Sequence, residues 1–140
     1  MFRVLVIDDD KLARKGLIAL VPWEECGMHV VGDVSNGMLA LEFLKENAVD
    51  LAVVDITMPV LSGLDFIREG RRLYPDLQYV VLSFHESFKY VQEALRLGAL
   101  DYISKLQLEQ EDCSTVFKRV GELMQQISKQ QTKEIGRAHV

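Results

Sequence analysis

The sequence is poor in cysteine, the residue that most often marks a small extracellular domain or a structural metal site. It contains only two, Cys26 and Cys113, among 140 residues. They are far apart, and neither a CxxC motif nor a histidine at metal-ligand spacing accompanies them. We therefore expect plain thiols in a reducing compartment, and neither a disulfide framework nor a zinc site.

Long apolar runs are also absent. The longest runs have the length of a β-strand, which is too short to span a membrane. Met1 leads directly into one of these runs, without the basic segment and the cleavage site of a secretory leader. These features predict a cytoplasmic protein with no membrane association.

Positive charge is scarce as well. Sixteen lysines and arginines face 21 aspartates and glutamates, and the formal net charge is −5. This balance argues against nonspecific nucleic-acid binding by the chain. About half of the residues are apolar (49%) and a quarter are charged (26%), which is typical of a globular domain with one substantial core.

Five short apolar runs alternate with helical patterns along the chain. The runs predict strands at 2–7, 29–34, 51–55, 79–83 and 100–104. Strict alternation of strand and helix predicts a parallel sheet with helices on both faces, and nearly continuous apolar strands indicate burial on both sides. We expect an α/β fold of the flavodoxin-like type, with five strands in the order 2-1-3-4-5.

Local signals delimit the helices of this predicted fold. Asp10 is expected to cap the first helix. Ser62 and Asp65 form a variant capping box before the third helix, and Gly98 is a stop signal for the fourth. The last helix is predicted at 108–130. Residues 1–128 are then one domain, and residues 129–140 are a helix end and tail that could be a linker.

Polar residues stand where the predicted strands end. The first strand is followed by Asp8, Asp9 and Asp10, while the third ends on Asp55. The fourth strand ends on Ser83, and Lys105 follows the fifth. Because ligands of open α/β sheets bind beyond the carboxyl ends of the strands, these side chains are expected to line one pocket.

This set of side chains suits phosphoryl chemistry. Clustered carboxylates repel one another, and a hard cation such as Mg²⁺ offsets the repulsion. A lysine and a hydroxyl group beside a metal suit the oxygens of a phosphoryl group. A carboxylate can itself be the nucleophile, which gives an aspartyl phosphate. Asp55 stands alone at the end of a buried strand and suits that role, whereas the aspartates after the first strand suit the metal.

Four motifs carry a resemblance to a known family. In order along the chain they are "VIDDD" (6–10), "VVDITMPVLSGLDFI" (53–67), "VVLSFHE" (80–86) and "GALDYISK" (98–105). Together they resemble the receiver domain of bacterial two-component response regulators over about residues 2–128. The segments 16–42 and 88–103 further resemble receivers that are joined to a C-terminal AraC-type DNA-binding domain. Such a domain is not present in this chain.

The resemblance implies a phosphoacceptor and a metal site. Asp55 would accept the phosphoryl group from a sensor histidine kinase. Asp8, Asp9 and Asp55 would bind Mg²⁺ together with the backbone carbonyl of Thr57. Such a domain is not an enzyme toward other substrates, although it would promote its own dephosphorylation.

The resemblance also implies two residues that bind the phosphoryl group and one whose side chain responds to it. Lys105 would pair with it, and Ser83 would donate a hydrogen bond to one of its oxygens. Tyr102 matches the family's aromatic switch and would turn inward as Ser83 is drawn to the phosphate.

Two residues depart from the family pattern. Leu106 replaces the proline that normally follows the lysine, so we expect a trans peptide bond and an altered loop there. Phe84 replaces the small residue that normally follows the hydroxyl residue, so it could narrow access to Asp55 or change the switch. The neighbouring His85 is either a surface residue or one that tunes access of water.

Alternatives to the receiver remain open at this point. Asp8 and Asp10 form a DxD pattern that resembles haloacid-dehalogenase-type phosphatases, in which Asp8 would be the nucleophile. A pseudo-receiver that binds a protein without being phosphorylated is the second alternative, and an FMN-binding flavodoxin relative is the third. The apolar positions of the last helix fit either packing on the sheet or the seam of a homodimer; they are Cys113, Phe117, Val120, Met124 and Ile127.

Overall fold

The computed structural model describes residues 1–56, 58, 61–84, 88–110 and 112–138, with side chains up to residue 131 except those of 107, 109 and 110. The strands are β1 (Phe2–Ile7), β2 (Met28–Val34), β3 (Leu51–Asp55), β4 (Gln78–Ser83) and β5 (Asp101–Ser104). The helices are α1 (Lys11–Leu20), α2 (Gly37–Glu46), α3 (Gly63–Leu73), α4 (Phe88–Arg96), α5 (Lys105–Gln110) and α6 (Cys113–Ala138). A short 3₁₀ turn, Glu24–Cys26, precedes β2.

The five strands form one parallel sheet in the order β2-β1-β3-β4-β5, as predicted. Successive residues of each central strand point to opposite faces. In β1, for example, Val4 and Val6 face the layer that contains α6, whereas Leu5 and Ile7 face the layer that contains α2 and α3. The two apolar layers bury both faces of the sheet, so polar groups of the central strands are expected at the strand ends.

Caps define where the helices begin and end. The Asp10 carboxylate accepts hydrogen bonds from the N–H groups of Leu12 and Ala13, which confirms it as the cap of α1. Gly98 has a φ of +86° and ends α4, as its position predicts. Ser62 caps α3 by accepting from the N–H of Asp65 at 3.2 Å. The Asp65 carboxylate binds Arg68.

The region after β5 differs from the prediction of a single last helix at 108–130. A short helix, α5, begins at Lys105 itself, and α6 begins at Cys113 and continues to Ala138. The physical reason is a pair of caps: the Ser104 hydroxyl accepts from the N–H of Leu106, and the Asp112 carboxylate accepts from the N–H of Ser114. The peptide bonds of the described residues are trans, including the one that joins Lys105 to Leu106.

The first half of α6 packs on the sheet. Its apolar positions Cys113, Phe117, Val120 and Met124 are buried in the core, and Phe117 contacts Trp23 edge-to-face with 5.0 Å between ring centroids. This confirms core packing rather than a dimer seam for these positions. Cys26 and Cys113 are both buried and unbridged, as expected, and burial raises the pKa of each thiol. Within the described part of the chain, no helix combines the length and apolarity needed to cross a membrane.

Candidate functional site

Three carboxylates meet at the carboxyl edge of the sheet. Asp8 follows β1, Asp55 ends β3, and each is buried, while Asp9 is exposed beside them. One oxygen from each carboxylate lies within 4.8 Å of the other two. Since β1 and β3 are neighbours in the sheet, Asp55 comes close to Asp8 and Asp9, which precede it by 47 and 46 positions in the sequence. This is the acidic pocket that the strand ends predicted.

Lys105 lies in the same pocket. Its ammonium donates to Asp8 Oδ2 at 2.9 Å and lies 3.6 Å from Asp55 Oδ2. Only 13% of its side chain is exposed. The ammonium therefore offsets part of the negative charge of two nearly buried carboxylates. Without it, burial of either charge would carry a large desolvation cost. Leu106, in place of the usual proline, does not keep Lys105 out of the pocket.

Backbone contacts fix the position of Asp8. Its Oδ1 accepts from the N–H of Asp10 at 3.0 Å, and its own N–H donates to the carbonyl of Val34 at 3.1 Å. Its carbonyl accepts from the guanidinium of Arg14 at 2.7 Å. Side chain and backbone of Asp8 are thus held from three directions, and the carboxylate is oriented before any ligand binds.

Arg14 was missed by the sequence analysis. Besides its bond to Asp8, it donates to Asp33 Oδ2 at 2.6 Å, and its side chain is only 11% exposed. Asp33 is the penultimate residue of β2 and also accepts from Lys15. Its position after an apolar strand run would suggest a solvated loop residue, but Asp33 is an ion-paired strand residue. Because β2 lies beside β1, the link ties the sheet edge to α1. No local pattern signals a pair 19 positions apart.

We expect Arg14→Ala to lower the free energy of unfolding by about 1–3 kcal/mol, because it removes a nearly buried hydrogen bond to a charged partner. Urea unfolding of the wild type and the variant measures this. Arg14→Lys is the matched control, since a single ammonium cannot reproduce both guanidinium bonds and should restore only part of the loss. A loss below about 0.5 kcal/mol in Arg14→Ala would contradict the structural role.

The same contact predicts a pH dependence. Burial of the Asp33 carboxyl raises its pKa, but the hydrogen bonds from Arg14 and Lys15 outweigh burial, so the pKa lies below its ordinary value of 3.8. The ion pair is thus fully stabilising above that value and is lost as the pH falls through the lowered pKa of the folded state. The stability difference between wild type and Arg14→Ala should shrink below about pH 4. A difference that stays constant through the acid titration would refute this.

Of four further predicted site residues, the structure describes two and leaves two undescribed. Ser83 is fully buried at the end of β4, one position beyond the residue that pairs with Asp55. Tyr102 is half-buried on β5 and packs against the apolar layer of α2 and α3. Thr57 and His85 lie outside the described residues.

Phe84 directly follows β4 and lies beside Lys105. More than half of its surface is exposed (56%), yet the Lys105 ammonium lies 5.3 Å from the centre of its ring. The ring and the ammonium also line one groove of about 410 Å³, whose other walls include Leu17 and Leu108. The bulky residue that departs from the family pattern therefore contacts the lysine of the pocket directly.

The start of α3 lies against the backbone of Asp55. Gly63 donates its N–H to the carbonyl of Ile56 at 3.1 Å. A Cβ at position 63 would come 2.4 Å from the Asp55 carbonyl oxygen and 2.8 Å from the Cα of Ile56. Only glycine allows this approach, which fixes the backbone that carries the Asp55 side chain.

The donor set fits a hard divalent cation. Three carboxylates converge on one point, and one of them is open to water; carboxylate and water oxygens are the ligands that Mg²⁺ prefers in proteins. The nearby ammonium provides a second positive group for an anion. The pocket can therefore hold a cation and a phosphoryl group side by side.

Comparison with known proteins agrees with this geometry. The family model described as "Response regulator receiver domain" matches residues 4–117. The uncharacterized transcriptional regulatory protein YesN of Bacillus subtilis is 29% identical over 126 residues, which are 90% of this chain and 34% of that protein. An uncharacterized response regulatory protein of Staphylococcus epidermidis is 32% identical over 105 residues, or 75% of this chain and 41% of that protein. The chain thus spans less than half of the length of these relatives.

A solved structure gives the same result. The REC domain of AraT, a response regulator from Geobacillus stearothermophilus, superposes with a TM-score of 0.72 at 29% identity, and the match covers 95% of this chain and 97% of that one. The topology, the convergent aspartates and the matching family model lead to one conclusion: this chain belongs to the family of response regulator receiver domains.

Proposed function

We propose that the chain is a phosphoacceptor switch and that Asp55 is the residue that receives the phosphoryl group. The observation that carries the proposal is the position of Asp55: its nearly buried carboxylate ends β3 beside Asp8 and Asp9, with the Lys105 ammonium 3.6 Å away. An oxygen of Asp55 attacks the phosphorus atom of the donor. The phosphorus–nitrogen bond of a phosphohistidine breaks, and the histidine nitrogen leaves with the electron pair.

Asp8, Asp9 and Asp55 would hold Mg²⁺, together with the carbonyl of Thr57. When bound, the cation would neutralise charge on the phosphoryl oxygens. Lys105 would pair with a phosphoryl oxygen, which its ammonium can reach by leaving Asp8. Arg14 and the N–H of Asp10 keep Asp8 oriented meanwhile.

Ser83 and Tyr102 would change position in response to phosphorylation of Asp55. The buried Ser83 hydroxyl would donate to a phosphoryl oxygen, and Tyr102, on the neighbouring strand, would turn inward as Ser83 moves. His85 would tune the access of water to the phosphoryl group. The domain would promote its own dephosphorylation but would not act on other substrates.

We further propose a cytoplasmic setting with a sensor histidine kinase as phosphoryl donor. YesN, by name a transcriptional regulatory protein, is about three times as long as the matched segment. This supports a role as the receiver part of a transcriptional regulator, which would reach DNA through a C-terminal domain outside this chain. Homodimerisation would then depend on surfaces other than the core-facing side of α6.

The test is covalent modification by a small phosphoryl donor. The protein is incubated with acetyl phosphate and Mg²⁺, and the modified residue is located by mass spectrometry of peptides after borohydride trapping. We expect one phosphoryl group on Asp55, no modification in Asp55→Asn, and no modification without Mg²⁺. Asp10→Asn is the matched control, because this neighbouring carboxylate only caps α1 and its loss should leave the modification intact.

Other results would favour the alternatives. If Asp8→Asn abolishes the covalent phosphate while Asp55→Asn retains it, the protein is a phosphatase of the haloacid-dehalogenase type. If the wild type is not modified and beryllofluoride with Mg²⁺ causes no spectral change, the protein is a pseudo-receiver.

A further inference from the structure

Phe84 is an unusual exposed aromatic residue, because its ring has a charged partner. It directly follows the buried Ser83, yet 56% of its own surface is exposed. The Lys105 ammonium lies 5.3 Å from the ring centre, within the distance at which an aromatic face attracts a cation. Lys105 is only 13% exposed, whereas the ring beside its ammonium is largely exposed.

Within the described part of the chain, three groups lie around the ammonium. Asp8 Oδ2 accepts from it at 2.9 Å, Asp55 Oδ2 lies at 3.6 Å, and the Phe84 ring completes the set. Apolar residues of α1 and α5, including Leu17 and Leu108, line the same groove. Apolar walls lower the local dielectric constant and strengthen the attraction between ring and ammonium.

Asp8 is the point at which this arrangement affects the metal. Its Oδ1 accepts from the N–H of Asp10, and its Oδ2 accepts from Lys105. A divalent cation on the same carboxylate would repel the ammonium, so cation binding and the Lys105–Asp8 pair oppose each other. Whatever holds the ammonium on Asp8 therefore weakens the binding of the cation.

We propose that Phe84 is a positioning residue for Lys105: its ring holds the ammonium on Asp8 and thereby sets the affinity of the pocket for Mg²⁺. This rests on the proposed function, in which the pocket binds Mg²⁺. It differs from a purely steric effect of a bulky side chain, because the interaction requires the aromatic face. A side chain of similar size without a ring is therefore the decisive variant.

The first experiment measures Mg²⁺ affinity by isothermal titration calorimetry. Phe84→Ala and Phe84→Leu should bind Mg²⁺ roughly two- to fivefold more tightly than the wild type, the range expected for loss of an exposed cation–π contact. Phe84→Tyr should bind like the wild type. Phe88→Ala, which removes another exposed ring (76%) from α4, is the control and should change nothing.

A double-mutant cycle tests whether the effect passes through Lys105. In a Lys105→Met background, Phe84→Ala should no longer change the Mg²⁺ affinity. If Phe84→Leu binds Mg²⁺ like the wild type while Phe84→Ala does not, the role is steric. If Phe84→Ala still tightens binding in the Lys105→Met background, the effect does not act through the lysine. Either result overturns the proposal.

A second measurement needs no metal. The hydrogen exchange of the Lys105 ammonium with water, followed by ¹⁵N NMR, should be slow in the wild type and Phe84→Tyr and severalfold faster in Phe84→Ala and Phe84→Leu. Equal exchange in all four proteins would overturn the positioning role. If instead the exchange differs as expected and no protein binds Mg²⁺, the positioning role stands, while the proposed function and the competition at Asp8 fail.

Discussion

Gly63→Ala is expected to lower the free energy of unfolding by about 2–3 kcal/mol. The new methyl group would lie 2.4 Å from the Asp55 carbonyl oxygen and 2.8 Å from the Cα of Ile56, and both are backbone atoms that cannot rotate away. Either α3 or the end of β3 must shift; an extra methyl group in packed structure typically costs about 1–3 kcal/mol, and a clash with backbone atoms places the cost in the upper part of that range. Urea unfolding monitored by circular dichroism measures the loss.

The control for this prediction is the same substitution in another helix. Gly16 lies in the interior of α1, and nothing lies within 4 Å of the Cβ that an alanine would add. Gly16→Ala should therefore stabilise the protein by about 0.5–1 kcal/mol, because glycine loses more entropy on folding. If both variants are stabilised, the predicted clash of a Cβ at position 63 with the backbone of Asp55 and Ile56 is refuted. Since the clash involves the Asp55 backbone, Gly63→Ala should also slow modification of Asp55.

Lys105→Met is expected to destabilise the protein by about 3 kcal/mol when Mg²⁺ is removed by EDTA. Methionine keeps the length of the side chain but removes the ammonium that lies 2.9 Å from Asp8 and 3.6 Å from Asp55. Removing one partner of a nearly buried ion pair leaves uncompensated carboxylates, which costs about 3–5 kcal/mol. The lower limit applies because the neighbouring Asp9 is exposed and water can reach the pocket.

The dependence on Mg²⁺ separates this effect from a simple loss of packing. If the pocket binds the cation, Mg²⁺ should stabilise Lys105→Met more than it stabilises the wild type, because no ammonium opposes its binding. Lys15→Met is the matched control: Lys15 pairs with Asp33, but its side chain is 54% exposed, so its loss should cost at most about 1 kcal/mol. Equal losses in the two variants, or a loss in Lys105→Met that Mg²⁺ does not reduce, would refute the prediction.

Most of the fold could be predicted from periodicity and caps. The apolar runs predicted all five strands to within one residue, because a parallel strand buried on both faces has few other sequence solutions. The cap at Asp10 was also predicted correctly, since a capping side chain acts within its own turn. The break between α5 and α6 was missed because Ser104 and Asp112 look like ordinary polar residues until the chain direction around them is known.

The site, too, was predicted in part: its chemical groups could be predicted from the sequence, but their contacts could not. That acidic groups and a lysine would meet at the strand ends followed from the chain itself, because parallel strands present their carboxyl ends at one edge. Which atoms they touch did not follow. Lys105 lies closer to Asp8 (2.9 Å) than to Asp55 (3.6 Å), and the bridge from Arg14 to Asp33 depends on β2 lying beside β1.

The sequence by itself determined the order of elements, the two-sided burial of the sheet and the chemical groups of the pocket, because these depend on side-chain type and short-range periodicity. Only the tertiary structure decided which groups hold one another: Arg14 on the Asp8 carbonyl, Gly63 against the Asp55 backbone, and the Phe84 ring over the Lys105 ammonium. Each of these contacts joins segments that are separate in the chain. Each therefore depends on distances of a few ångströms that arise only when the packed elements come together.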